Sequence, residues 1–489
     1  MSLSTLNLNQ HSLSKLMEGF ADTPEMFISG IASDSRKVKS GFLFLACKGI
    51  NNHGIDYLRE ATKAGASAVA WDSSNSIAPN KTDVTLIAVD NLFQHLGEIA
   101  NRFYKKPSYD LKTIGITGTN GKTTTAWLLK QCLDCLGDRC AYIGTLGSGI
   151  DELADNQGMT TPATIELHYT LSQFLKTGAK SAVIEVSSHA LSQGRVNGVK
   201  FDAGIFTNLT QDHLDYHGDM QTYFETKSKL FLEHNPKIKI INVNSKYGIK
   251  LSEQCSQDAI IVSSNPEMVV DRKFFVIIKS FSMNHLGSKV FFSSSWGEGV
   301  FKIPLPGVFN IENATIVLAY LLAIGIDLNK ACDALSSVKA PSGRMQKLLT
   351  CKRRIYVDYA HTPNALESAL KALRPHSLGK LWCVFGCGGD RDKGKRPLMA
   401  RVVEKYADYV VVTSDNPREE GSTNIIEDIL SGIKNKNSIK VIEDRAKAIN
   451  WAISNSNKND IVLIAGKGHE AYQEINGERQ PFSDAVQAN

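Results

Sequence analysis

The run Leu111-Lys112-Thr113-Ile114-Gly115-Ile116-Thr117-Gly118-Thr119-Asn120-Gly121-Lys122-Thr123-Thr124-Thr125 constrains this chain more than any other. It is a short β-type stretch, a glycine turn and then the helix-forming Ala126-Trp127-Leu128-Leu129-Lys130. Glycines let backbone N–H groups close around phosphate oxygens, a helix N-terminus adds positive potential, Lys122 offers a point charge and Thr123 a hydroxyl for Mg²⁺. The spacing is compressed: Ile116 stands where the usual motif has its first glycine, and only Thr119 and Asn120 separate Gly118 from Gly121. A Gly-Thr-Asn-Gly turn also serves as an ordinary loop with a solvated lysine. Here, however, strand, turn, Gly-Lys-Thr and helix come in the order a phosphate-binding loop requires.

At 489 residues the chain exceeds one core, and a prior of about 150 residues per domain gives roughly three. Lys and Arg total 55 against 50 Asp and Glu, an excess too small and dispersed to imply a nucleic-acid partner but compatible with polyanionic small molecules. The nine cysteines include one Cys-x-x-Cys, Cys132 to Cys135. It lies in the helix after the phosphate loop, and no second pair stands at zinc-site spacing, so reduced cytoplasmic thiols are expected. Met1 to Leu6 lacks a basic region followed by an apolar core, so no secretory signal is expected. The longest apolar run, Ile316 to Ile326, is shorter than the roughly 20 residues of a membrane span and reads as a buried helix.

Residues 1–90 read as a small α/β domain, with strands at Phe42–Ala46, Ala68–Trp71 and Val84–Val89 and a helix from Asp56 to Ala64. Asp34-Ser35-Arg36 and Gly49 to Gly54 are polar loops. A helix from Phe93 to Tyr104 leads through Lys105-Lys106-Pro107 into a central domain of residues 91–340. There the apolar strand Ser181–Val186 carries Glu185 near its end, where a Mg²⁺ ligand, a water-orienting group or a plain salt bridge would sit. His213 and His217, four apart, would share a helical face, but Leu214 replaces the glutamate of the zinc-protease pattern, which argues against zinc hydrolysis. Met220 to Glu233 reads as a helix with Tyr223, Lys227 and Phe231 on one face. A lysine there ordinarily snorkels to solvent. Two further β-rich pieces, Lys273–Ile278 and Lys289–Ser293, precede the apolar helix.

Residues 341–489 give the firmest fold argument. Strand-like runs end at Asp358, Gly386, Asp415 and Gly466, and helical patterns near Pro363, Pro397 and Ile425 follow the first three. This alternation predicts a Rossmann-like, doubly wound parallel sheet whose ligands bind outside the carboxyl ends of the strands. All four ends carry polar loops.

Gly118-Thr119-Asn120-Gly121-Lys122-Thr123-Thr124, Glu185-Val186-Ser187-Ser188-His189, Thr207 through His217, Asp358-Tyr359-Ala360-His361-Thr362-Pro363 and Asp415-Asn416-Pro417-Arg418 together resemble the Mur ligase family, in the right order along the chain. The resemblance implies three α/β domains: a small N-terminal one for uridine diphosphate, a central P-loop ATPase with a mostly parallel sheet, and a C-terminal one that brings an amino acid. It implies an ATP-dependent ligase in which the D-glutamyl carboxylate of UDP-N-acetylmuramoyl-L-alanyl-D-glutamate becomes an acyl phosphate and the amine of meso-diaminopimelate displaces phosphate. Lys122, Glu185, His213 and Lys227 then fall at catalytic positions, with Mg²⁺ held by Thr123, Glu185, His213 and a carbamylated Lys227, which replaces the snorkelling expectation. Asn310, Arg344, Asp358 and His361 join the phosphate loop around ATP. Thr160, Thr161, Ser187, Gln193 and Arg195 fall around the UDP-sugar peptide, with Ser35 near the uridine. Arg391, Asp415, Asn416, Pro417, Arg418, Gly466 and Glu470 fall around diaminopimelate, Arg418 gripping its far carboxylate and Glu470 its far ammonium. A monomer acting in the cytoplasm is expected.

Three positions depart from the family pattern: Gln346 replaces a glutamate, Asn244-Ser245 a pair of aspartates, and the chain stops soon after Asp484. Competing expectations are the L-lysine-adding sister ligase, folylpolyglutamate synthase and a GTP switch. Asn80-Lys81-Thr82-Asp83 and Asn457-Lys458-Asn459-Asp460 both fit a guanine-reading pattern, but the first precedes the phosphate loop and the second precedes its strand.

Overall fold

The computed structural model describes residues 11–49, 52–74, 82–156, 158–268, 271–348, 353–435 and 439–489. The chain packs as two compact units. One comprises the chain up to Thr117 with Asp138–Ile205 and Gln211–Lys237; the other comprises Gly118–Gly137, Phe206–Thr210 and Ile238–Asn489. Elements of the middle of the chain contribute to both.

In the first unit, strands Gly30–Ala32, Phe42–Ala46, Ala68–Asp72 and Thr85–Val89 form a parallel sheet in sequence order. Period-two alternation sends Leu43, Leu45, Ala68 and Ala70 to one face against helix Leu92–Phe103, and Phe44, Ala46, Val69 and Trp71 to the other against Leu58 and Ala61. The helix expected from Asp56 instead opens with a 3₁₀ turn, Gly54–Tyr57, before the α-helix Leu58–Lys63. The cause is local: His53 and Asp56 form a reciprocal capping box that tightens the first turn. In the same unit, strand Ser181–Glu185 lies parallel between Lys112–Thr117 and Cys140–Gly144, and Gly147–Gly149 and Leu153–Ala154 extend the edge antiparallel.

In the second unit, Ile238–Asn242, Ile260–Ser263 and Phe275–Asn284 run parallel. From there the sheet departs from expectation. The two short β-rich pieces are the first two strands of an antiparallel meander, Phe275–Asn284, Gly287–Ser294 and Gly297–Ile303. Their alternating burial marks a sheet covered on one face only, and the polar outer face hid their length. The apolar run Ile316 to Ile326 starts in helix Val308–Ala323, which is buried almost all round, and its last three residues lie past the helix end.

The C-terminal sheet has the order Gln346–Leu348, Arg354–Asp358, Ile461–Ala465, Leu381–Phe385, Tyr409–Val412, Ile439–Val441, parallel except for its first strand. Tyr356, Cys383, Phe385, Val410 and Leu463 pack on one side under helices Pro363–Leu373, Lys395–Tyr406 and Ser422–Leu430; Ile355, Trp382, Val384, Val411 and Val462 pack on the other under Arg445–Asn455. Helices on both faces make it doubly wound. The fold is thus α/β in three domains. Among the described residues no helix is long and apolar enough to cross a membrane, and the eight cysteines among them are free thiols.

Candidate active site

The phosphate loop lies in the second unit. Gly118 and Gly121 take φ of +148° and +85°, and a Cβ on Gly121 would stand 2.6 Å from Asn313 Oδ1, so the turn admits only glycine there. The loop is braced by the segment at Thr207–Thr210. Asn208 carbonyl accepts from Thr119 N at 2.9 Å, Asn208 Oδ1 from Asn120 N at 2.9 Å, and Thr207 Oγ1 donates to the Asn120 carbonyl at 2.6 Å. Helix Lys122–Cys135 starts at the loop, and Lys122 Nζ donates to the carbonyls of Gly118 and Thr119, 2.9 Å each. Thr123 is buried in the first turn, followed by Thr124. Asn208 lies within the Thr207–His217 motif, but no spacing assigns Asn208 or Asn313 this part in shaping the loop.

In the first unit, Glu185 is fully buried at the end of its strand. Its carboxylate accepts from the Tyr142 hydroxyl, from Thr145 N at 3.0 Å and from Thr145 Oγ1 at 3.3 Å. The residues expected around the sugar peptide gather beside it. Thr160 meets Thr145 Oγ1 at 3.2 Å; Thr161 Oγ1 donates to the Glu185 carbonyl at 2.7 Å and accepts from Ser187 N at 3.1 Å. Arg195 donates to Thr161 O at 3.1 Å and to Gln193 Oε1 at 2.8 Å, and Gln193 reaches Tyr216 at 3.3 Å. Burial holds the Arg195 guanidinium below its usual range.

His213 and His217 do not share a helical face. His213 caps the short helix Leu214–His217 from a left-handed conformation, φ 52°, and the two flank His189, ring centroids 5.0 and 5.7 Å away. Burial lowers the pKa of His189 and of His217, with the neighbouring imidazoles and Lys227 adding to it. Lys227, on helix Met220–Leu232, is 1% exposed and does not snorkel; its Nζ stands 4.7 Å from the Tyr223 ring centroid. Among the described residues no three His, Cys, Asp or Glu side chains are drawn together as a metal-holding group.

Ser35 is not with the Thr161 network: its hydroxyl donates to Glu60 at 2.9 Å. Beside it opens a cavity of about 460 Å³, lined by Ser33, Arg36, Lys37, Lys39, Tyr104 and Tyr169 among others.

The four polar loops of the C-terminal domain do meet at one sheet edge. Gly466 N donates to Asp358 O at 3.1 Å, Gly389 N to Asn416 O at 2.9 Å, and Arg418 Nη1 to Gly389 O at 2.8 Å. Asn416 Nδ2 donates to Glu470 Oε2 at 2.9 Å, and Arg391 is exposed on the neighbouring loop. Arg418, φ 55°, also faces Glu474 at 3.8 Å from the hairpin Tyr472–Ile475/Glu478–Pro481, an element with no signal in the sequence reading. Asp415 lies 4.0 Å from Arg445, itself buried in a bidentate pair with Asp484. Asp358 accepts from Met345 N at 2.8 Å and Ala360 N at 2.9 Å; burial raises its pKa and Arg344 opposes that. Arg344 lies 4.5 Å over the Tyr359 ring, next to His361, whose pKa burial lowers. Asn310 donates to Pro306 O at 2.7 Å, while its buried Oδ1 has no protein partner among the described residues.

Residues 27–104 match the Mur ligase family, catalytic domain; residues 116–321 the Mur ligase middle domain; and residues 343–468 the Mur ligase, glutamate ligase domain. UDP-N-acetylmuramoyl-L-alanyl-D-glutamate–2,6-diaminopimelate ligase of Coxiella burnetii is 44% identical over 98% of this chain and 99% of its own length. The chain belongs to the Mur ligase family. The enzyme of the same name from Pseudomonas syringae pv. tomato is 42% identical over 98% of this Mur ligase and 97% of its own length. A solved structure of a ligase of that name superposes with a TM-score of 0.74 at 34% identity, covering 98% of both chains. The fold alone is shared with UDP-N-acetylmuramoylalanyl-D-glutamyl-2,6-diaminopimelate–D-alanyl-D-alanyl ligase from Acinetobacter baumannii, TM-score 0.64 at 18% identity, covering 95% of this chain and 97% of that one.

The departures of this Mur ligase from the family pattern are locally accommodated. Gln346 Oε1 accepts from Gly343 N at 2.9 Å, as a carboxylate oxygen would. Asn244 donates to Glu312 at 2.8 Å, where an aspartate would set two carboxylates together, and Ser245 caps helix Lys246–Gln254. The guanine-reading alternative fails on position. Asp460 is buried at the start of strand Ile461–Ala465, the end remote from the ligand edge, and accepts from Lys380 N and Trp382 Nε1. Asn80-Lys81 lies outside the described residues.

Proposed function

We propose that this protein is the ATP-dependent ligase that joins meso-diaminopimelate to UDP-N-acetylmuramoyl-L-alanyl-D-glutamate, acting as a cytoplasmic monomer in peptidoglycan precursor synthesis. The convergence of the Gly389, Asn416–Arg418 and Glu470 loops at one sheet edge carries this reading. The guanidinium of Arg418 and the carboxylate of Glu470, carried on these joined loops, match the far carboxylate and ammonium of a diamino diacid.

The reaction proceeds in two displacements. An oxygen of the D-glutamyl carboxylate attacks the γ-phosphorus of ATP, the β–γ bridging P–O bond breaks, and ADP leaves. The deprotonated amine of diaminopimelate then attacks the acyl carbon, the C–O bond breaks, and inorganic phosphate leaves with the amide formed. Charge neutralisation decides the first step, where a carboxylate approaches a polyphosphate. The backbone of Gly118–Gly121, Lys122 and the start of its helix supply it. Family likeness assigns Mg²⁺ to Thr123, Glu185, His213 and carbamylated Lys227; beside the imidazole nitrogen, the hydroxyl, carboxylate and carbamate oxygens would suit a hard cation, which would offset the γ-phosphate charge. Burying an ammonium as deeply as Lys227 is costly, and a carbamate there replaces it with an anionic oxygen donor.

Other residues follow the same assignment. The unpartnered Asn310 Oδ1 is an acceptor suited to the adenine amino group, with Arg344, Asp358 and His361 beside the nucleotide. Thr160, Thr161, Ser187, Gln193 and Arg195 hold the sugar peptide. The cavity next to Ser35, with three cations against the one carboxylate of Glu166, which pairs with Lys37, and with two tyrosine rings, suits a nucleoside diphosphate. The test is isotopic. With ¹⁸O in the D-glutamyl carboxylate, one label per turnover should appear in the released phosphate; phosphate without label would contradict an acyl phosphate.

A further inference from the structure

Lys467 is the one lysine of the amino-acid loops with no exposed side-chain surface. It sits between Gly466, φ +118°, and Gly468, φ +56°. A Cβ on Gly466 would come within 2.4 Å of Asp415 Oδ2, so the loop hugs the segment that follows strand Tyr409–Val412, and Lys467 turns inward. Its Nζ donates to Asn416 Oδ1 at 2.8 Å and to Glu470 Oε2 at 3.0 Å, 5.6 Å from the Tyr472 ring centroid. Asn416 closes the triangle, since its Nδ2 donates to the same Glu470 oxygen at 2.9 Å while its Oδ1 also accepts from Glu474 N at 3.0 Å.

The Asn416 amide bonds to the protein through both its oxygen and its nitrogen, so it ties the two loops together. Both bonds to Glu470 end on Oε2, which leaves Oε1 to meet an incoming ammonium, and 21% of the side chain stays exposed to receive it. A buried cation without its carboxylate, or the reverse, would be strongly unfavourable, so Lys467 and Glu470 hold each other in one geometry. A glutamate free to rotate would lose that geometry and its preference for a second ammonium group.

We propose that Lys467 is a positioning residue for amino-acid selection: through Asn416 and Glu470 it fixes the carboxylate that recognises the distal ammonium of the diamino acid. This rests on the reading of Glu470 given above. The experiment compares meso-diaminopimelate with 2-aminoheptanedioate, which keeps the far carboxylate but lacks the far ammonium, in the wild type, Lys467→Met, Glu470→Gln and Lys467→Met/Glu470→Gln. In Lys467→Met, kcat/KM for the diamino acid should fall about tenfold or more relative to that for 2-aminoheptanedioate, with KM for ATP unchanged. The double variant leaves no buried unpaired charge and keeps the test alive if the single one does not fold; its selectivity should equal that of Glu470→Gln alone. Parallel losses for both amino acids, unchanged selectivity, or further loss in the double variant would overturn the role of Lys467. A wild type that does not distinguish the two compounds would instead overturn the reading of Glu470, and the proposal with it.

Discussion

Lys122 folds back over its own loop, with Nζ 2.9 Å from the carbonyl of Gly118 four residues earlier. The ammonium is thereby held at the mouth of the glycine turn, where phosphate oxygens would lie. Lys122→Ala should lower ATP-dependent product formation by about 10²-fold or more, the scale of losing one preorganised charge donor. Its thermal unfolding should shift little, because a partly exposed loop side chain leaves no core cavity. Parallel measurement of turnover and Tm checks both, and a variant with wild-type turnover would refute the assignment.

Lys227 gives a second test, since its complete burial excludes a solvated helix lysine. A solvated residue would tolerate alanine within about ±0.5 kcal/mol. Lys227→Ala should instead be nearly inactive and partly rescued by acetate or another small carboxylate that restores the missing oxygen donor. Intact-protein mass measured under CO₂ should exceed the chain mass by one CO₂ in the wild type and not in Lys227→Ala. Equal masses together with no rescue would contradict a carbamate.

His168 predicts a pH dependence of stability. It is fully buried on helix Thr164–Lys176, with Nε2 2.9 Å from the Asn197 carbonyl and Nδ1 without a partner among the described residues. Burial holds its pKa below the ordinary 6.5. Below that pH the unfolded chain binds a proton that the folded chain refuses, so stability is lost as pH falls from about 7, by at most about 1.4 kcal/mol per pH unit for one group. His168→Gln keeps a donor for Asn197 and does not titrate. Its Tm should therefore drop less than that of the wild type between about pH 7.5 and about pH 5.5, with other buried histidines supplying the remainder. Parallel curves would contradict the assignment.

What the sequence made legible follows from physics that acts locally. The doubly wound C-terminal sheet was readable because its strands are apolar on both faces and each ends in a polar loop, as at Asp358, Asp415 and Gly466. The meander from Phe275 to Ile303 was foreshortened because one face is solvated, so its polar positions resembled loop. Asn208 and Lys467 stood in segments the sequence singles out, but their bonding roles, like those of Asn313 and Glu474, lie in a hydrogen bond made far along the chain, which no spacing encodes. Resemblance named Arg418 and Glu470; the reason they share a site is the Asn416–Glu470 bond.

The choice of amino acid is read from kcat/KM of the wild type and Arg418→Ala for meso-diaminopimelate and L-lysine, with ATP and UDP-N-acetylmuramoyl-L-alanyl-D-glutamate saturating. The far carboxylate present only in diaminopimelate would take the guanidinium that now faces Glu474 at 3.8 Å. Removing one partner of such a charge-assisted pair costs about 2–5 kcal/mol. The wild type should therefore use meso-diaminopimelate and reject L-lysine, and Arg418→Ala should lose most of its activity with diaminopimelate and most of that preference. A wild type that uses L-lysine as well, or an Arg418→Ala variant with its preference intact, would contradict the account.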